Sequence, residues 1–222
     1  QTCGFLFFTQ NVLGLHPRPE PTEGLDLGQL GRLYHRIFER AAPQITAAMS
    51  EEEVRTAVTT VAQPILDAAP EADGFRPTLW WSQTRREIVD NVIRSLVLLA
   101  EGPYVFDRAE AAFGIHGPPL IVETDGDTLR LRGYIDRIDR QPDGRIRLID
   151  YKLGGKAGYT AKKFAEGDRL QLPLYALAAQ KTLALGAVAD GFLWHFQQAE
   201  PSSFTLAKVG VGEAAAAAVA HA

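Results

Sequence analysis

Apolar residues recur every third or fourth position through the first hundred residues, and every second position through much of the rest. Leu30, Leu33, Tyr34, Ile37 and Phe38 keep one face of a helix after the loop His16 to Gly28, whose prolines and glycines interrupt regular structure. The same spacing predicts a helix from Ser50 to Ala69, closed by Pro70 and Gly74, and another from Trp80 to Ala100, ahead of Gly102-Pro103. From Tyr104 the pattern alternates. Strands are predicted over Arg108 to Ile115, Thr128 to Arg140 and Arg145 to Tyr151, the last two joined by a hairpin at Asp143-Gly144. Beyond the loop Gly154 to Gly167, Leu170, Leu174, Leu177 and Ala178 return to helical spacing, and Gly191 to Phe196 reads as a closing strand. The alanine run Ala214 to Ala218 is helix-prone. The pattern predicts one α/β domain over residues 1–222. It has a mainly helical part at 1–103 and a core at 104–200, a mixed sheet of about four or five strands flanked by helices.

Composition narrows the class. Among 222 residues, 46% are hydrophobic, enough for one substantial core, and no apolar run reaches the roughly 18 residues of a membrane span. No membrane partner is expected. The single cysteine, Cys3, excludes an internal disulfide framework or a thiolate metal cluster and fits a reducing cytoplasm. The opening Gln1-Thr2-Cys3-Gly4-Phe5 lacks a methionine and the pattern of a secretory signal, and reads as the start of an excised piece. The formal charge of -4 opposes a phosphate-rich partner at first sight. Acidic residues crowd Glu51 to Asp73, however, while Arg130, Arg132, Arg137, Arg147, Lys152 and Arg169 gather in the second half.

The hairpin carries the candidate chemistry. On regular strands Asp136 and Asp139 face opposite sides, whereas Asp150 and Lys152 share one. A turn centred on Asp143-Gly144 pairs residues whose numbers sum to about 287, which sets Asp136 against Tyr151 and leaves Asp150 and Lys152 beside it. Acids flanked by Ile135, Ile138, Leu148 and Ile149 are costly to bury unless a cation lies between them. One or two carboxylates together with phosphate oxygens are the usual surroundings of magnesium. An isolated Asp-x-Lys occurs by chance in about half of chains this long; two apolar strands bearing these groups across a tight turn are much rarer.

Taken together, these residues resemble the PD-(D/E)XK nuclease superfamily, and within it the RecB-like exonuclease domains at the C-termini of RecB and AddB recombination proteins. The resemblance is carried by Leu131 to Asp139, Asp143-Gly144, Leu148 to Gly154, Gln171-Leu172-Pro173-Leu174-Tyr175 and Gly31 to Glu39, with the opening Cys3 to Leu15 also similar. It implies a restriction-endonuclease-like core in which Asp136 and Asp150 ligate magnesium or manganese, Tyr151 adds a backbone carbonyl, His35 is a further ligand and Lys152 is catalytic. Gln171 and Tyr175 would meet the DNA, and Glu110 would be a supporting acid. The expected activity is exonucleolytic cleavage of DNA, at single-stranded ends, beside a helicase partner or a helicase domain of the same polypeptide. The four-cysteine iron–sulfur cluster of some AddB-type members is not expected here, and Cys3 then reads as a small buried hydrophobe.

Plainer readings stand beside these. A lone helix histidine such as His35 is more often packed than metal-bound, Gln171 and Tyr175 four apart could simply pair with each other, and Asp139 fits a salt bridge. His16, His116 and His195 read as structural or exposed, and Trp80 and Trp81 as a helix start packed on the core. The rival functions are a DNA-binding or scaffolding module without catalysis and a phosphoesterase of small substrates. The complete Asp136, Asp150 and Lys152 set disfavours the first, and the arginine-rich surround the second.

Overall fold

In the computed structural model the described residues are 22–123, 127–154 and 169–221, with Phe5, Phe8, Leu13, Thr160, Lys163 and Phe164. The expectations for Cys3 and His16, and much of those for the opening segment Cys3 to Leu15 and the loops His16 to Gly28 and Gly154 to Gly167, lie outside them.

A short strand β1 (Thr22–Glu23) leads into helix α1 (Leu27–Ala41). Asp26 caps α1 through a capping box: its carboxylate accepts from the Gln29 backbone N–H at 2.7 Å, and Gln29 Oε1 accepts from the Asp26 N–H at 2.7 Å. Of the apolar positions that predict this helix, Leu33, Tyr34, Ile37 and Phe38 are buried and Leu30 is half-buried. Helix α2 (Glu51–Asp73) begins on a second capping box, Ser50 with Glu53, and places three glutamates in its first turn, where the helix dipole favours them. It continues through Pro64 and Pro70 and ends at Gly74, whose φ of 70° supplies the left-handed cap. Pro70 therefore belongs to the last turn instead of ending the helix. After β2 (Phe75–Arg76), helix α3 (Trp81–Ala100) completes the helical part. Trp81 packs on Phe75 with ring centroids 5.1 Å apart, but Trp80 is 71% exposed, so only one of the two tryptophans joins the core.

The central sheet has five strands, in spatial order β3 (Val105–Phe113), β6 (Gly133–Arg140), β7 (Ile146–Lys152), β8 (Val188–His195) and β9 (Glu200–Thr205). Between β3 and β6 in the chain, β4 (Leu120–Glu123) and β5 (Thr128–Leu131) form a separate ribbon, so the run Thr128 to Arg140 is two strands rather than one. The sheet is mixed: β7 and β8 run parallel, connected through helix α4 (Gln171–Leu177) and the π-helical turn Ala178–Thr182. Helices α5 (Leu206–Val209) and α6 (Val211–His221) close the chain. Even positions of β7, Ile146 and Leu148, pack with α4 and α6, while Ile149 and Tyr151 pack under α1, α2 and α3. The sheet is covered on both faces, the arrangement expected of an α/β layer fold.

The β6–β7 register differs from expectation. Arg137↔Ile149 and Ile138↔Leu148 are partners, so the sum is 286 rather than 287. The cause is the turn. The Gln141 N–H donates to Arg145 O at 2.8 Å and the Gly144 N–H to Gln141 O at 2.9 Å, enclosing three residues, with Gly144 at φ 86°. A three-residue loop with a left-handed final glycine displaces the ladder by one residue.

Candidate functional site

The paired ladder of β6 and β7 ends at Arg137↔Ile149. One residue beyond, the Asp136 carboxylate takes the place of a backbone acceptor: its Oδ2 accepts from the Tyr151 N–H at 2.7 Å. Asp136 thus meets Tyr151, but through its side chain and not as a register partner. Alternation also breaks here. Ile135 and Ile138, three apart, both pack on the α4 side, which a regular strand forbids. Opposite the break, Glu110 in β3 has φ 47°, a conformation rare for a residue with a Cβ. Strain of this kind persists where the surroundings impose it, commonly at functional sites.

His35 projects from α1 over this break. Its Nδ1 lies 3.7 Å from Glu110 Oε1 and 3.8 Å from Asp136 Oδ2, and ligand atoms of His35, Glu110 and Asp136 all fall within 4.8 Å of one another. The ring is held edge-on by aromatic neighbours, with its centroid 5.7 Å from Tyr151 and 5.9 Å from Phe196. Phe196 is the hub of the group, stacking on Tyr34 at 4.5 Å, Phe38 at 5.0 Å and Tyr151 at 5.1 Å. Its N–H donates to Lys152 O at 3.1 Å, tying the end of β7 to the same clasp.

On the other side Lys152 Nζ lies 2.5 Å from Asp150 Oδ2 and donates to Gln171 Oε1 at 3.2 Å, while Gln171 Nε2 donates to the Tyr175 hydroxyl at 2.8 Å. The side-chain pair that stood as the plainer alternative for Gln171 and Tyr175 is present, and Gln171 also accepts from the lysine. Asp150 is buried, and its Oδ2 has the lysine's charge beside it without a directed hydrogen bond.

Electrostatics follow from the crowding. Burial, and then the charge of Asp150, push the Asp136 carboxyl up to about 7. Burial raises Asp150 as well, against the pull of Lys152. Burial alone would lower His35, but the carboxylates of Glu110, Asp136 and Asp150 outweigh it and raise the imidazole. A cluster of buried acids that resists carrying its negative charges suits a divalent cation. The donors fit one: oxygens from Glu110 and Asp136 and a nitrogen from His35, with Asp150 adjoining but engaged by Lys152.

Several expectations change. Glu110, held only as a supporting acid, stands among the principal donors; its sequence signal was an acidic residue in an otherwise small and apolar stretch, Ala109 to Phe113. Arg137 and Arg147 do not serve a basic surface. Both are buried, holding Asp139 between them at 2.6 and 2.8 Å, because their positions turn toward the α1–α3 side. Asp139 is a salt-bridge residue, as its plainer reading had it, although the regular alternation used to separate it from Asp136 does not hold here. His195 is buried at the end of β8, its Nδ1 2.7 Å from Gly154 O.

Comparison with known proteins bears on this geometry. A sequence profile described as the PD-(D/E)XK nuclease superfamily matches residues 1–221. The chain belongs to that superfamily. A five-stranded mixed sheet flanked by helices is consistent with the restriction-endonuclease-like PD-(D/E)XK fold. Relatives whose names describe one of the subunits of an ATP-dependent helicase/deoxyribonuclease include those of Leuconostoc citreum (28% identical, covering 90% of this chain and 18% of the relative) and Alkaliphilus metalliredigens (26%, covering 93% and 19%). The Streptococcus mutans relative of the same name is 28% identical over 81% of this chain and 16% of its own length. The PD-(D/E)XK chain thus spans less than a fifth of the length of these relatives. Among its described residues no helix is long and apolar enough to cross a membrane.

Proposed function

We propose that this PD-(D/E)XK domain is a divalent-metal-dependent nuclease that hydrolyses phosphodiester bonds of DNA, as an exonuclease working beside a helicase partner or a helicase domain of a longer polypeptide. The observation that carries the reading is the meeting of His35, Glu110 and Asp136 at the end of the β6–β7 ladder, with Asp150 and Lys152 alongside. In this reading His35, Glu110, Asp136, Asp150 and the Tyr151 carbonyl hold magnesium or manganese. When bound, the metal supplies Lewis-acid polarisation of a phosphate oxygen and a more acidic water.

The remaining roles belong to the chain. Asp136, oriented by the Tyr151 N–H, offers its carboxylate to the metal once its proton is lost. Lys152, fixed between Asp150 and Gln171, orients the attacking water and neutralises charge growing on the phosphate as the new P–O bond forms and the ester bond breaks. Gln171 and Tyr175 line the side on which the strand lies. The three backbone and side-chain ties on Lys152 limit its freedom, the preorganisation such a role requires.

The test is degradation of end-labelled single- and double-stranded linear DNA with magnesium, manganese or EDTA. Wild type is expected to cut with either metal and not with EDTA. Asp150→Ala and Lys152→Ala are expected to reduce the rate by at least about a hundredfold, and product lengths would report end preference. A folded wild-type domain that binds DNA and leaves it uncut with both metals would count against a nuclease and favour a binding module.

A further inference from the structure

The last rung of the β7–β8 ladder is made by a side chain. Lys152 and His195 are register partners in these parallel strands, and the Phe196 N–H donates to Lys152 O at 3.1 Å. In a regular parallel ladder the next donor would be the Gln198 N–H, directed at Gly154 O. The backbone cannot supply it, because β8 turns at once into β9: the Ala199 N–H donates to His195 O at 2.8 Å, with Ala199 at φ 52°. The His195 ring takes that place, its Nδ1 2.7 Å from Gly154 O. A carbonyl only accepts, so Nδ1 carries the hydrogen.

Two features separate this contact from ordinary packing. His195 is 0% exposed and continues the strand face of Leu193, which lies in the apolar layer against α4. A leucine would fill such a position without the cost of burying ring nitrogens. The carbonyl it holds is also two residues past Lys152, the last residue of β7. Lys152 O is bound by the Phe196 N–H and Gly154 O by the His195 ring, so the backbone is pinned on both sides of Leu153, where a strand end would otherwise fray. From that fixed origin Lys152 Nζ reaches Asp150 and Gln171.

Building on the nuclease reading, we infer that His195 is a positioning residue of the cleavage reaction: by bonding Gly154 O it fixes the backbone from which Lys152 reaches the attacking water and the phosphate. Its whole effect on the rate passes through the lysine.

The test is steady-state cleavage of end-labelled DNA with manganese, with thermal melts to verify folding. Asparagine places its amide nitrogen where the imidazole has Nδ1, whereas glutamine places it where the imidazole has Nε2. His195→Asn is expected to keep kcat within about threefold of wild type, and His195→Gln and His195→Leu to lower kcat roughly tenfold or more with KM changed less than about twofold. In the Lys152→Ala background, His195→Leu is expected to lower the residual rate less than about twofold, because the group it positions is gone. A folded His195→Leu that cuts like wild type overturns the inference and leaves the nuclease reading standing. So does a His195→Leu effect that multiplies in full with Lys152→Ala, the mark of general packing. Where His195→Leu does not fold, the asparagine and glutamine variants decide, and equal rates from those two overturn the inference. If wild type leaves DNA uncut, or Lys152→Ala cuts as fast as wild type, the nuclease reading fails and the positioning role with it.

Discussion

Glu110 shows how much chemistry one strained residue can hold. Its φ of 47° accompanies a carboxylate that reaches His35, at a conformational cost of roughly 1–2 kcal/mol. Glycine accepts that conformation freely. Glu110→Gly is therefore expected to raise the stability of the metal-free protein by about 1 kcal/mol in urea denaturation, while weakening manganese binding at least about tenfold by calorimetry. A fall in stability would show that no strain is stored there. Asp136 supplies a pH prediction. Its carboxyl is raised to about 7 in the fold, against about 3.9 in an unfolded chain. Between those values the folded state binds the extra proton, so this group's contribution to stability is present below about pH 4 and lost as pH rises through 7. The metal competes for the same carboxylate. Manganese affinity is therefore expected to rise through pH 6 to 8, and the melting temperature of metal-free protein to fall over pH 4 to 7 relative to Asp136→Asn. A flat affinity profile would count against the protonated carboxyl.

At the scale of elements, the site depends on how α1 is joined to the ends of β7 and β8. The aromatic clasp does this, with Phe196 in contact with rings from α1 and β7 at once. Phe196→Leu keeps an apolar core but removes the flat surface on which the His35 ring stands. It is expected to weaken manganese binding about tenfold, whereas Phe38→Leu, which touches Tyr151 and Phe196, is expected to cost comparable stability with less than about a twofold change in affinity. Equal losses from both would mean the clasp acts through general packing. The helices bearing these rings were legible from apolar spacing because that spacing is a local property. The turn was harder: Asp143-Gly144 announces a hairpin, but whether the loop holds two residues or three depends on the hydrogen bonds between Gln141, Gly144 and Arg145. Those bonds decide which residues face one another.

For the molecule as a whole, burying several acids together makes the fold responsive to metal. Manganese at about one hundred times its dissociation constant is expected to stabilise the protein by about 2.7 kcal/mol. This would appear as a higher melting temperature, reversed by EDTA and absent in an Asp136→Asn, Asp150→Asn double variant; an unchanged melting temperature would argue that the cluster binds no cation. The sequence by itself determined the α/β class, the helices under the sheet, the Asp136–Asp150–Lys152 hairpin and the Gln171–Tyr175 pair, because each is written in periodicity or short spacing. β4 escaped because it has four residues and β9 because Pro201, Ser202 and Ser203 give it little strand propensity, and the basic residues misled because charge shows in sequence while burial does not: Arg137 and Arg147 turn inward to Asp139. Only the tertiary structure decided the one-residue register, the switch of faces at Asp136, and the meeting of His35 with Glu110 and Asp136. Those three residues lie on α1, β3 and β6, far apart along the chain, and nothing local to any of them encodes the distance at which packing sets them.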